Sequence, residues 1–268
     1  MEMEIKSLQN LREIHKPMEI TYEQRLQRFV DKFNEEEGDL TDYDCRKCRN
    51  KGVVAIIEDG IEKHRDCECM AIRKSLRLIK KSGLGHLLKM CTFESYDAEE
   101  PWQQQIKEKA QVFIKSKNKV FFIGGQVGAG KTHICTAIVG KFLQTSKAAR
   151  YMMWRDVSTR LKAVVTTDEY SKQLDDFKRV EILYIDDLFK TEQGKFPTAA
   201  DVNIAFELLN YRYNNELITI ISSEKTVDEI LEIDEACGSR IVQRAGEFCF
   251  NISKDTSKNM RLKGGLKK

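Results

Sequence analysis

Residues 125–132 read GQVGAGKT, entered from the apolar run KVFFIGG and left through a helix-like stretch beginning at Lys131. No other feature restricts the fold of this chain so tightly. The pattern G-x-x-x-x-G-K-T makes a loop whose backbone N–H groups turn inward around a phosphate chain. Bulky side chains would block that approach, so Gly125, Gly128 and Gly130 keep the space open while Gln126, Val127 and Ala129 complete the cradle. The loop opens a helix, whose N-terminal dipole favours anions. Lys131 can reach the β- and γ-phosphates, and the Thr132 hydroxyl can bind Mg²⁺. His133 follows directly and is read as packing or polar support beside the bound nucleotide.

A phosphate loop of this kind requires a parallel sheet around it, and the rest of the chain supplies one. A helix over 102–116 precedes the loop strand, with Pro101 suited to its first turn. After the loop helix come RYMMW as a strand, DVSTRLKAVV as a helix and VEILYID as a strand. TAADVNIAFELLNYRYNN is a helix, LITIIS a strand, VDEILEI and CGSRIVQRA short helices, and EFCFNIS a last strand. Strands alternating with helices predict a doubly covered five-stranded parallel sheet. FFI, ILYI and ITII are apolar throughout, as strands buried on both faces should be.

The second half of a phosphate site is an acid at the end of a buried strand. ILYIDD, residues 182–187, provides two. Asp186 ends the apolar run and would hold Mg²⁺. Asp187 follows it and can orient and activate water against the γ-phosphate. The chain has no guanine-reading N-K-x-D, so ATP is the expected nucleotide.

Ahead of this lies a different composition. Residues 1–40 read as helix, with Tyr22, Leu26, Phe29, Val30 and Phe33 on one face. CRKC and CEC follow, placing Cys45, Cys48, Cys67 and Cys69 in two close pairs separated by eighteen residues. Between them GVVAII and IEKHR form a hairpin around Glu58-Asp59-Gly60. Zinc takes four tetrahedral ligands delivered as close pairs from two turns, and these four cysteines fit that demand; His64, three residues before Cys67, is an alternative for one sulfur. Such a closed site is structural and holds together a segment too small for its own core. Cys91, Cys135, Cys237 and Cys249 are isolated and read as small apolar residues. Residues 71–90 are helical with a break at Ser82-Gly83, giving an expected border between an N-terminal module at 1–90 and an ATPase domain at 91–268.

The N-terminus, MEMEIKSLQN, has neither the basic start nor the apolar run of a signal peptide, and no stretch approaches eighteen apolar residues. The expected setting is the cytoplasm, where thiols stay reduced and metal binding is favoured over disulfides. Net charge is +3, distributed unevenly: residues 1–44 hold twelve acids and six Lys/Arg, and residues 73–89 hold six Lys/Arg and no acid. Basic segments of this kind are solvated faces or contacts to nucleic acid.

Taken in order, GQVGAGKTH, ILYIDDL, FELLNYRYNNELITIISS and GSRIVQR resemble the AAA+ ATPases, specifically the DnaC/DnaI-type replicative helicase loaders, over about 92–265. The cysteine module is similar to the zinc-bearing N-terminal domain of DnaI-type loaders. The resemblance implies an ATPase that binds a hexameric replicative ring helicase through its N-terminal module, self-associates side by side and contacts single-stranded DNA. A phage-encoded version would act in the host cytoplasm. In that family a T-S-N stretch carries an Asn that senses the γ-phosphate; here the stretch reads Ser222-Ser223-Glu224, so Ser223 or Glu224 takes the place. The R-x-x-x-R helix corresponds to Arg240 and Arg244, with Arg244 as the arginine finger entering a neighbour's site and Arg240 as its support. Without the resemblance the two arginines are one face of a short helix. Arg261 in NMRLK corresponds to a second sensor arginine. Two rival readings are an IstB-like transposition helper, which shares the ATPase core, and a nucleotide-gated adaptor with little turnover.

Overall fold

The computed structural model describes residues 20–81, 84–145, 147–192 and 194–265, in two compact units that divide between Met70 and Ala71. Among the described residues no helix is long and apolar enough to cross a membrane.

The described part of the first unit opens with helix α1, Tyr22–Glu35, whose start is fixed by a capping box between Thr21 and Gln24. The helix expected over 1–40 is thus seen from Tyr22; residues 1–19 lie outside the described part. Strands β1 (Val53–Glu58) and β2 (Ile61–Asp66) pair antiparallel. Their turn places Asp59 and Gly60 at φ 57° and 72°, the left-handed pair that matches the twist of a two-residue hairpin. The α1 helix is tied to β1 by Asn34, whose amide accepts from the Ala55 N–H at 3.0 Å and donates to the Ala55 carbonyl at 2.9 Å. Apolar burial is slight: Val30 is covered, while Tyr22 and Phe29 are 69% and 68% exposed.

Helix α2 (Cys69–Lys81) starts at the end of the first unit and belongs to the second from Ala71 on, where α3 (Leu84–Met90) and α4 (Pro101–Lys115) follow it. Residues 71–90, expected to belong with the cysteine module, pack here: Ile79 and Leu84 join Phe113, Ile134 and Ile138 in one core cluster. The sheet comprises β3 (Val120–Gly125), β4 (Ala149–Met153), β5 (Ile182–Asp186), β6 (Ile218–Ser222) and β7 (Cys249–Ile252), in the order β4-β5-β6-β3-β7, all parallel. Alternate residues of each strand feed opposite layers. Phe121, Ile123 and Tyr184 enter one core cluster, and Phe122, Leu183 and Ile185 enter the other, so both faces are buried as the apolar runs require.

The covering helices are α5 (Lys131–Gln144), α6 (Trp154–Ala163), α7 (Asp168–Arg179), α8 (Ala199–Asn214), α9 (Val227–Ile233) and α10 (Glu235–Ala245), with a short α11 (Met260–Gly265) at the end. The α7 helix is not among the expected elements. It is mostly polar, and only Tyr170, Leu174 and Phe177, spaced four and three apart, mark its inner face. Its C-terminal carbonyls are closed by a neighbour: Arg212 of α8, 1% exposed, donates to the carbonyls of Phe177 (2.9 Å), Lys178 (3.0 Å), Val180 (2.8 Å) and Ile218 (2.6 Å) and to Thr219 Oγ1 (2.9 Å). Burial pulls its guanidinium pKa down to about 9, still charged at neutral pH. Arg212→Leu removes every one of these donors and leaves helix-end carbonyls buried and unpaired. A loss of about 3 kcal/mol or more in urea denaturation is expected, against less than about 1 kcal/mol for the exposed Arg179→Leu.

Candidate functional site

The sheet order places β6 between the loop strand β3 and the acid strand β5. The phosphate loop therefore faces the β5 carboxylates across the end of β6, at the point where the winding of the sheet reverses. The loop closes on itself in this structure. Lys131, 6% exposed, donates to the carbonyls of Gly125 at 2.9 Å and Gln126 at 2.6 Å. Burial lowers its pKa, while Asp187 and Glu224 act the other way. Two glycines are required by geometry. A Cβ on Gly125 (φ 103°) would lie 1.9 Å from the Ile252 carbonyl oxygen, and one on Gly128 (φ 76°) would lie 2.0 Å from Asn259 Oδ1. The Met260 N–H donates to the Gly128 carbonyl at 3.0 Å, so the start of α11 rests on the loop. A cavity of about 360 Å³ opens here, lined among others by Val127, Gly130, Lys131, Thr132, Asp187, Glu224 and Arg261.

Asp186 is 6% exposed and surrounded by hydroxyls. Tyr184 donates to Oδ1 at 2.7 Å, Tyr151 to Oδ2 at 2.8 Å and Thr132 to Oδ1 at 3.3 Å, and Ser222 donates to Oδ1 as well. Burial first, and then the Asp186 charge, push both tyrosine pKa values far up, so both hydroxyls stay protonated as donors. Thr132 and Asp186, expected as the Mg²⁺ pair, thus stand in contact. Hydroxyl and carboxylate oxygens suit that hard cation.

Asp187 has φ 58°, held by its N–H donating to Ser222 Oγ at 3.2 Å. Burial, and then the adjacent Asp186 and Glu224, raise its pKa against the opposing hydrogen bond from Lys190. Ser223 and Glu224 separate cleanly. The Ser223 side chain is fully buried and donates to the Leu188 carbonyl at 2.7 Å, which turns it away from the cleft. Glu224 lines the cleft instead. His133 Nε2 sits 3.0 Å from the Thr92 carbonyl and 3.2 Å from Ser95 Oγ, with its ring edge-on to Tyr96, and His133 also lines the cleft.

Arg240 and Arg244 lie elsewhere, on α10. Arg240 donates to Asn210 Oδ1 at 3.1 Å and to the Ala236 carbonyl at 2.7 Å. Arg244 pairs with Glu216 at 3.2 Å and stacks on Tyr213, 4.4 Å from the ring centre. Neither lines this chain's own phosphate cleft, whereas Arg261 does. The sequence reading missed Tyr151, Tyr184, Ser222 and Lys190. The first two look like core aromatics in apolar strands. Lys190 alone carried a signal, three residues beyond Asp187.

In the first unit Cys45, Cys48, Cys67 and Cys69 are buried together, all sulfurs within 4.8 Å of one another. Cys45–Cys67 is 3.8 Å and Cys48–Cys69 3.5 Å. A tetrahedral zinc with bonds near 2.3 Å has sulfurs about 3.8 Å apart, so the donor set and its spacing fit that ion. The first turn is shaped for it: Arg49 and Asn50 have φ 47° and 66°, and the Gly52 N–H donates to Cys48 Sγ at 3.3 Å. That bond and those from neighbouring thiols, working against burial, bring the Cys48 pKa down to about 7. His64 is not in the cluster. It points to Glu62 at 3.0 Å and stacks on Phe33 at 4.4 Å.

A five-stranded parallel sheet with a phosphate loop on β3 and paired acids on β5 is the fold of the AAA+ P-loop class. A family model described as "IstB-like ATP binding protein" matches residues 58–265, and the chain belongs to that family. It is similar to the phage-like element PBSX protein XkdC of Bacillus subtilis (strain 168), 31% identical over 242 residues, covering 85% of this chain and 90% of that protein. It is also similar to the replicative helicase loader DnaC of Escherichia coli (strain K12), 23% identical over 176 residues, covering 64% of this chain and 69% of that protein. Among solved structures a crystal structure of DnaI shares the fold, with TM-score 0.52 and 19% identity over 63% of this chain and 92% of that one.

Purified protein is expected to carry one zinc per chain by elemental analysis. Cys48→Ser should lose most of it and His64→Ala should keep it. A chelator should unfold the first unit, seen as loss of amide protection in residues 20–70, and leave the second unit protected.

Proposed function

We propose that this chain is an ATP-dependent loader that grips a replicative ring helicase and helps place it on single-stranded DNA. The observation that carries the reading is the convergence of Lys131, Thr132 and Asp187 on one cleft, with the buried Asp186 in contact with Thr132, in a chain similar to a helicase loader. The loop N–H groups, Lys131 and Arg261 bind the phosphates. Thr132 and Asp186 would hold Mg²⁺, which would supply charge neutralisation to the phosphates. Asp187 orients the attacking water and accepts its proton at a carboxylate oxygen. Arg244 serves a neighbouring copy: released from Glu216, it reaches the γ-phosphate of the adjoining subunit, with Arg240 supporting it. Cys45, Cys48, Cys67 and Cys69 would hold zinc and so keep the first unit folded, and that unit would carry the helicase contact.

A groove of about 990 Å³ beside β4 supports the DNA contact. Its lining includes Arg150, Arg155, Arg160, Lys162, Lys190 and Lys195 against Asp156, Glu192 and Asp201, with Phe196 84% exposed. Cations that follow a backbone, together with an aromatic for base stacking, are what a single strand needs. The second reading, a transposition helper whose partner is a transposase, is favoured by the family description itself.

Phosphate release is expected from wild type and to fall at least about tenfold in Lys131→Ala. Equal release from both would leave a nucleotide-gated adaptor. Co-purification then separates the partners: the full chain should retain the helicase of its own host and a chain of residues 71–268 should not. Retention of a transposase instead supports the second reading. Phe196→Ala should weaken binding to a fluorescent oligonucleotide by about 1–3 kcal/mol without changing ATP affinity.

A further inference from the structure

Glu224 presents a difficulty. A carboxylate lining a cleft that takes a triphosphate repels the charge the cleft exists to hold, and Asp187 stands in the same cavity. Both carboxylates are held by one group. Lys190 Nζ lies 2.8 Å from Asp187 Oδ2 and 2.8 Å from Glu224 Oε1. Lys190 itself lines the cleft beside Lys131 and Thr132. Its position is set by the backbone. The Lys190 N–H donates to the Asp187 carbonyl at 2.9 Å, and Phe189 at φ 59° turns the chain so that it folds back over Asp187. The Leu188 N–H and carbonyl are both bound to the end of β6, through Ser222 at 2.9 Å and Ser223 at 2.7 Å. A lysine on a free loop would sample many positions; this one is fixed at the carboxylate end of the site.

We propose that Lys190 is a γ-phosphate-recognising residue of this site, with Glu224 as its anchor. With ATP present the ammonium stays near Glu224 and donates to a γ-oxygen, leaving Asp187 free to face water. ADP offers no such oxygen, so the lysine returns to bridge both acids. The Glu224 carboxylate is then an aid to ATP binding when Lys190 is present and an obstacle when it is not. This inference rests on the reading of the cleft as an ATP site.

The test is the ratio of ATP to ADP affinity in the presence of Mg²⁺, measured by titration calorimetry on the full chain. Lys190→Met should weaken ATP about tenfold, the loss of one charge-assisted contact, and move ADP far less. Lys190→Arg should keep most of the preference for ATP. The double variant Lys190→Met/Glu224→Gln should regain part of the lost ATP affinity, because the exposed negative charge is gone. An unchanged ATP-to-ADP ratio in Lys190→Met, or no recovery in the double variant, overturns the proposal. Failure of wild type to bind either nucleotide overturns the ATP-site reading itself, and Lys131→Ala losing both nucleotides supports that reading independently.

Discussion

The Asp186 carboxylate is the interaction on which the second unit turns. A buried carboxylate without partners is untenable, since its desolvation far exceeds what packing returns. Here the donors come from four different elements: Tyr151 on β4, Tyr184 on β5, Ser222 on β6 and Thr132 on α5. Each bond is short range, so each strand must end at the right height for its hydroxyl to reach. The carboxylate thereby fixes the relative register of three strands and the seating of the loop helix. The same pressure explains why strand residues that look like plain core aromatics are tyrosines and not phenylalanines.

The two units are stabilised by different physics. The larger one buries both faces of a five-stranded sheet and needs nothing but its apolar layers and a few satisfied polar groups such as Arg212. Among the described residues the smaller one has one hairpin, one helix with Val30 covered, and a cluster of four sulfurs. Its apolar burial is too small to offset the entropy of ordering a chain of that length. Four sulfurs spaced to suit a metal offer a way to supply the difference, and the left-handed residues Arg49 and Asn50 mark how tightly the backbone is wrapped there.

Most of the fold was legible in the sequence because buried parallel strands leave uninterrupted apolar runs and the phosphate loop declares its own context. The miss was α7, where three apolar residues in a polar helix carry a weak signal. The extent of the cysteine module was also hard to read. Helical periodicity from 71 to 90 shows an apolar face but not what covers it, and Ile79 and Leu84 turn out to face the core of the five-stranded sheet. Within the site, the positions that belong to a sequence motif were readable: Lys131 and Thr132 in the loop, Asp186 and Asp187 at the end of a buried strand. Residues whose duty arises only from juxtaposition were not. Nothing in the run Ser222-Ser223-Glu224 tells which side chain faces the cleft, because that depends on the loop after β5 claiming the Ser223 hydroxyl.

That loop has a further consequence. Residues 187–190 are stapled to the end of β6 at Ser222 and Ser223, so they cannot move independently of the strand between the phosphate loop and the acids. Lys190, at the end of the staple, lines both the phosphate cleft and the larger basic groove beside β4. One ammonium therefore belongs to two cavities. A ligand in either that draws Lys190 toward itself takes it from the other, and reciprocity follows from thermodynamics: whatever bias nucleotide exerts on the groove, an occupant of the groove exerts on nucleotide. Coupling of this kind needs no movement of the sheet, only a choice of partner by one side chain held within 2.8 Å of two carboxylates.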